Sequence, residues 1–401
     1  MRLSSLVAAA AKTAVIIAAL LLGCAARAGV AQAGAPEGLG GFAPLTSWHE
    51  PVLALPAAST LDYAQLAQRG VAQSSQWHRR GWYCEALGCP GPWPMLTIWG
   101  EVPMFEAADA LQRADPSKAH AALLERLAEG SERYWDPYVG GYVPYYEDHY
   151  RGVEAYFDDN GWLGLAFLGA YEDTGSRCYL RDAQRALRFI AAKGWDAAGG
   201  GGMWWNTSHP YHSGPALASD SLLAALLYRA DHERWQLDDA ESWVDWANAY
   251  DADDERHLYL EVPNRPESVV DYVQAPLIYA QYLLCEDGMG QDLCLLAGRL
   301  AATMAEQDID GFGYEYNYGP EYDAVYLQWM MAYGAATDQG YWLELAQVNA
   351  LAATDHAADA QGDWLQSWWG GPIKDPETHP GMFRTAAATS SLFAWLAVYS
   401  Q

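Results

Sequence analysis

The sequence predicts an all-α fold, a single-domain (α/α)6 barrel of six helical hairpins. Three observations carry this. Apolar residues recur at helical spacing almost throughout the 401-residue chain, and strand-like alternation is scarce. Clusters of Gly and Pro divide the pattern into twelve segments. Every second segment begins at 98, 159, 215, 270, 322 and 385, at intervals of 61, 56, 55, 52 and 63 residues, which is the rhythm of a repeated hairpin. An open α-solenoid shares that rhythm. The long loops entering the even segments favour a closed ring, because they would converge on one rim and form a cleft.

Taken in order, residues 1–28 read as a secretory signal: Arg2 is the positive start, Ala14 to Leu22 the apolar centre, and small residues follow. The apolar run is shorter than the roughly 20 residues a membrane-spanning helix needs. Leu21-Leu22-Gly23-Cys24 fits a bacterial lipobox, which would place a lipid anchor on Cys24, whereas Ala26-Arg27-Ala28 fits an ordinary signal peptidase site. Both alternatives predict a secreted, periplasmic or cell-surface protein. Residues 29–59 read as a flexible lead and 60–401 as the barrel domain. Helices are expected over 61–78, 98–113, 117–134, 159–173, 177–193, 215–230, 237–250, 270–285, 290–306, 322–337, 340–356 and 385–399. The even ones hold small and apolar residues, such as Ala216, Ala218, Ala224 and Ala225, and suit a crowded inner ring. The odd ones hold more charge, as in Arg181-Asp182-Ala183-Gln184-Arg185, and suit the outside.

Charge limits the partners. The formal net charge is −28, and it becomes −30 if the chain is cut before Cys24, because Arg2 and Lys12 leave with no acid. Such a chain repels nucleic acid, anionic lipid and anionic polysaccharide, so a neutral polysaccharide or oligosaccharide is the expected substrate. Cys84 with Cys89, and Cys285 with Cys294, each flank a short loop that an oxidising compartment would let them close; Cys178 is left as a buried free thiol. No spacing of Cys and His suggests zinc, and Asp308-Ile309-Asp310-Gly311 lacks the distal Glu of a calcium loop. No metal and no cofactor are expected.

The chemistry centres on Tyr156-Phe157-Asp158-Asp159-Asn160-Gly161-Trp162. Two adjacent carboxylates in an aromatic frame, at the mouth of the second even helix, are what glycosidic cleavage needs. Close carboxylates repel, so one holds its proton to higher pH and can act as an acid. A plain N-cap is the competing reading. The second block is Gly194-Trp195-Asp196, then Gly199-Gly200-Gly201-Gly202-Met203-Trp204-Trp205-Asn206. Its glycines let backbone approach a ligand closely, and Trp204 and Trp205 offer a sugar platform. Asn206-Thr207-Ser208 matches a glycosylation sequon and is read as chance. Tyr156, Asn160, Asp220, Asp271, Tyr272 and Tyr316 complete the candidate substrate contacts, Tyr316 in the aromatic loop before the fifth inner helix. For Asp271 an N-cap role is the alternative.

Tyr-x-Asp-Asp-Asn-x-Trp, the helix pair carrying Ala166, Ala170-Tyr171-Glu172, Thr174-Gly175 and Tyr179-Leu180, and the Gly-Trp-Asp…Gly-Gly-Gly-Met-Trp-Trp block together resemble glycoside hydrolase family 76. These are the bacterial endo-α-1,6-mannanases and related fungal cell-wall transglycosidases. The likeness is dense over about 155–230. It implies an (α/α)6 barrel, a retaining double displacement on α-1,6-linked mannose-type glycans, Asp158 as nucleophile and Asp159 as general acid/base. It also implies that Trp204 and Trp205 line the cleft. Two departures bear on subsite specificity: Ala218-Ser219-Asp220 puts Asp where Asn is expected, and Asp323…Tyr326-Leu327-Gln328-Trp329 stands in place of an acidic residue followed by Phe-Lys-Gly. The rival readings are a cell-envelope transglycosidase, a non-hydrolytic glycan-binding protein on the same barrel, and an enzyme acting on uronic acids. Scarce Arg and Lys in the rim loops argue against the last.

Overall fold

A computed structural model describes residues 61–79, 81–90, 95–145, 153–252, 258–263, 265, 268–307, 319–370 and 381–401, all within one compact unit spanning 48–401. The signal, Cys24, the lead to 59, Tyr316 and the 308–311 loop lie outside the described residues.

Twelve helices are present among the described residues: α1 (Tyr63–Gln73), α2 (Ile98–Ala114), α3 (Lys118–Ser131), α4 (Phe157–Thr174), α5 (Arg177–Lys193), α6 (Gly214–Asp231), α7 (Arg234–Trp246), α8 (Asp271–Glu286), α9 (Gln291–Gln307), α10 (Pro320–Thr337), α11 (Tyr341–His356) and α12 (Phe383–Tyr399). Several ends follow from local chemistry. Asp62, Thr97, Ser117 and Ser213 accept backbone N–H groups at the starts of α1, α2, α3 and α6. Gly175 ends α4 in the left-handed conformation that glycine adopts without strain. The first segment stops at Gln73 rather than 78, in a 3-10 turn over Ser74–Gln76. The seventh stops at Trp246 and passes into a π turn, Ala247–Asp251.

The even helices form a closed ring. α2 packs on α4, α4 on α6, α6 on α8, α8 on α10, α10 on α12, and α12 on α2. That last contact excludes an open solenoid. The odd helices pack outside, α3 against α2 and α4, α5 against α4 and α6, and so on around. Burial follows the sequence pattern. In α5 the buried residues Leu180, Ala183, Leu187 and Ile190 form one stripe, whereas in α4 an almost unbroken run from Asp159 to Leu168 is buried.

The inner helices all run in one direction. At one rim their first turns meet: Trp99 of α2 touches Trp162 of α4, Tyr272 of α8 and Tyr322 of α10. At the other rim their last turns are tied, Arg113 of α2 to Asp173 of α4, Arg229 of α6 to Asp287 after α8, and the Tyr282 hydroxyl of α8 to the Ala336 carbonyl of α10. Both expected disulfides are formed, Cys84–Cys89 and Cys285–Cys294. Cys178, expected to be buried, is exposed: it is the second residue of α5 and lies off that helix's buried stripe.

Candidate active site

The two sequence blocks meet as a small β-bridge. Residues 155–157 pair with 205–207: the Phe157 N–H donates to the Trp205 carbonyl (3.0 Å), and the Thr207 N–H to the Ala155 carbonyl (3.0 Å). This fixes the entry to α4. Its N-cap is Tyr156, which makes no side-chain cap, so the two aspartates are first-turn residues rather than caps. Asp158 Oδ1 accepts the Asp159 N–H at 3.0 Å, and the Trp205 indole beside the Asp158 carboxyl favours its charged form. The Tyr156 ring packs edge-on to Trp205 at 4.9 Å, and Trp205 stacks on Tyr211 at 5.2 Å.

The two acids differ in proton affinity. Burial raises Asp158 to about 6, while the Asp159 N–H and the Trp205 indole oppose the rise by stabilising its charge. Asp159 is raised well above the usual carboxylate range, first by burial and then by the charge on Asp158. Asp158 is therefore the first of the pair to ionise, and Asp159 keeps its proton to higher pH. Tyr211 feels the same field and is pushed up to about 12 by burial and then by Asp158.

Across the first turns of α2, α8 and α10 the mouth is aromatic. Tyr272 lies 4.8 Å from Tyr322 and 5.9 Å from Trp99, and Trp99 and Tyr322 are 5.4 Å apart. Tyr272 is buried, whereas Trp99 and Tyr322 are part-exposed and carry the open side of this cluster. The sequence reading missed both. Each occupies the offset that Asp158 and Tyr272 occupy, the second or third residue of an inner helix, and that offset was the signal that could have found them.

Other candidates fall elsewhere. Asn160 is wholly buried and bonds only to backbone: its amide donates to the carbonyls of Tyr142 (2.9 Å) and Tyr156 (2.7 Å), and its Oδ1 accepts the Tyr142 N–H (2.8 Å). It ties the Trp135–Tyr142 hairpin to α4 and has no group left for substrate. Asp220 is also wholly buried, against α4. Asp271 is buried in the first turn of α8 and accepts the Tyr272 N–H at 2.7 Å. Trp204 and Trp205 are neighbours in extended chain and so face opposite ways. Trp205 reaches the acids. Trp204 packs on His209 and His212 and lines a separate surface groove with Lys193, Trp195 and Thr207. The glycine run approaches the protein's own rings, not an open space for a ligand: Gly201 and Gly202 have φ of 106° and 107°, and a Cβ on either would overlap Trp246 or His212. The Asn206 side chain is buried and bonded to Ser208, which leaves no room for a glycan. Among the described residues no group of three His, Cys, Asp or Glu is placed to hold a metal ion.

The family model for glycosyl hydrolase family 76 matches residues 78–283, just over half of the chain and the whole of the acid-bearing mouth up to α8. The chain belongs to glycosyl hydrolase family 76. No curated protein matches it. Solved family 76 structures share its fold. One, from a bovine strain of Bacteroides thetaiotaomicron, is 20% identical with a TM-score of 0.72, covering 85% of this chain and 78% of that one. An α-mannanase of the family from Bacteroides thetaiotaomicron is 18% identical with a TM-score of 0.75, covering 85% and 96%. An α-1,6-mannanase from Salegentibacter, solved as an inactive variant with two consecutive aspartates replaced by alanine and bound to α-1,6-mannotetrose, is 16% identical with a TM-score of 0.68, covering 84% and 100%. At these identities the likeness shows the (α/α)6 fold; the family model makes the chain a glycoside hydrolase. No helix among the described residues is long and apolar enough to cross a membrane.

Proposed function

We propose that this family 76 member is an exported retaining hydrolase of α-1,6-linked mannose glycans, with Asp158 as nucleophile and Asp159 as general acid/base. The observation that carries the reading is the pair of consecutive first-turn carboxyls, of which Asp158 is the more acidic and Asp159 keeps its proton to higher pH. Asp158, the more acidic, attacks the anomeric carbon as Asp159 gives its proton to the departing glycosidic oxygen. The C–O bond to the leaving sugar breaks and an ester to Asp158 forms. Asp159, now ionised, takes a proton from water, which cleaves the ester from the same face. Two inversions give net retention. Trp99 and Tyr322 supply faces for the sugar's C–H surface. Support for mannan comes from the α-mannanases of the same fold and family, and support for the pair from the Salegentibacter enzyme that is inactive without two consecutive aspartates. The sequence at 1–28 supports export.

The test is incubation of the protein with α-1,6-mannan, with product configuration followed by NMR. First-formed α-product supports the reading; β-product overturns retention. Asp158→Asn and Asp159→Asn are each expected to lose about 10³-fold or more in kcat/KM with an unchanged circular dichroism spectrum. Oligosaccharides longer than those supplied would signal transfer in place of hydrolysis.

A further inference from the structure

A third carboxyl lies beside the pair, and the reaction as written gives it no part. Asp220 sits in the second turn of α6 and is wholly buried. It rests on α4 at Gly161, where a Cβ would overlap Asp220 Oδ1 and Ser219 Oγ and stand 2.7 Å from Ser219 Cβ. Gly161 is three residues beyond Asp158, so Asp220 lies under the same face of α4, one turn inward.

Its hydrogen bonding suits a neutral carboxyl. Oδ2 has no partner. Oδ1 lies 3.3 Å from the Ser219 hydroxyl, but that hydroxyl has a single proton and also lies 3.1 Å from the Pro215 carbonyl and 3.3 Å from the Ala216 carbonyl. A buried carboxylate would share one neutral donor with two backbone acceptors, a costly arrangement. A carboxylic acid brings its own donor: Oδ1–H donates to Ser219 Oγ, and the Ser219 proton stays with Pro215. α6 packs on α4, α5, α7, α8 and the π turn. From these elements Asp159 of α4, Asp271 and Tyr272 of α8 and Asp251 of the π turn are the buried titratable groups, and Asp158 of α4 is part-exposed. Burial, and then the charge of Asp158, push Asp220 well above the usual carboxylate range, against a smaller opposing pull from the Ser219 hydroxyl.

We propose that Asp220 is a positioning residue for Asp158: a carboxyl that keeps its proton, seats the first turns of α4 on α6 at Gly161, and leaves the site's one negative charge on the nucleophile. This rests on Asp158 being the nucleophile.

The experiment compares Asp220→Asn and Asp220→Ala in the full protein. Asp220→Ala, which empties the seat, is expected to lower kcat about tenfold with KM within twofold. Asp220→Asn, neutral and of the same shape, is expected to restore kcat/KM to within about threefold and to leave the acid limb of the pH profile in place. If Asp220 were ionised in the wild type, removing its charge would move that limb down by about one unit or more, which would overturn the proposal. So would Asp220→Asn as impaired as Asp220→Ala, or Asp220→Ala with full activity. A second measurement needs no catalysis. A proton held when folded and released when unfolded costs stability as pH rises, so the Tm of Asp220→Asn should exceed that of wild type by a margin that grows from near zero at pH 4 to about 2–5 °C at pH 8. A margin that stays flat would overturn it. Activity surviving in Asp158→Asn would instead strike the underlying reading and leave the Tm result standing.

Discussion

At the scale of single residues, the acids were legible and their support was not. Twin aspartates in an aromatic frame stand out in the sequence, but their unequal proton affinity rests on burial, on the Asp159 N–H and on a donor 47 positions away in sequence, the Trp205 indole. Replacing Trp205 by Phe removes that donor and keeps the ring. A bond to the charged form lowers a pKa, so its loss should raise Asp158 and shift the acid limb of kcat/KM upward by about 0.5–1 unit, with the largest loss of rate near pH 5.5. An unmoved limb would show that the indole does not stabilise the charge on Asp158. Asn160 shows the limit of motif reading. Its place beside the acids suggested substrate, yet three backbone groups use its whole amide. Trp99 and Tyr322 were hidden for the opposite reason. Each reads as one more aromatic in a helical pattern, and only ring closure brings α2 and α10 to one point. Trp99→Ala is expected to raise KM about tenfold or more with kcat little changed, as loss of one sugar face should; a kcat effect alone would place the ring elsewhere.

At the scale of elements, the helices matched their expected spans closely because each inner helix is apolar on every side and each outer one has a single apolar stripe. The six parallel inner helices also direct their N-termini to one rim. Their partial positive charges favour the carboxyls gathered there: Glu101, Asp158, Asp159, Asp271, Glu321 and Asp323 all stand in first turns. That field favours the ionised form of Asp158 at the part-open mouth. The alignment depends on close approach of α4 to α6 at Gly161. Gly161→Ala must push Ser219 and Asp220 aside and should cost about 1–3 kcal/mol together with much of kcat. Gly200→Ala is the control: it keeps a positive φ of 95° but meets nothing within 4 Å, so it should cost about 1 kcal/mol and leave the mouth intact.

At the scale of the whole molecule, the interior stores protons. Burial raises Glu101 to about 7 and Glu106 to about 8, and raises Asp109, Asp159, Asp220 and Asp251 well above the carboxylate range. For each, the folded state keeps a proton that the unfolded chain releases near pH 4. Between those two values the unfolded chain binds fewer protons, so stability falls as pH rises. Tm should peak in mild acid and decline steadily toward pH 9. Salt at about 0.5 M screens the repulsion of the exposed acids but not these buried ones, so the decline should persist there; a flat profile in salt would assign it to the surface instead. If Asp158 is the nucleophile proposed above, activity should rise above about pH 6, where stability is already falling. Closure of the ring has a temporal side as well. The seam joins α12 to α2, nearly 300 residues apart along the chain. A ribosome-bound polypeptide that has emerged only through α10 already carries Asp158, Asp159 and Asp220, yet has no enclosed mouth to hold them, and so should be catalytically silent until synthesis is almost done.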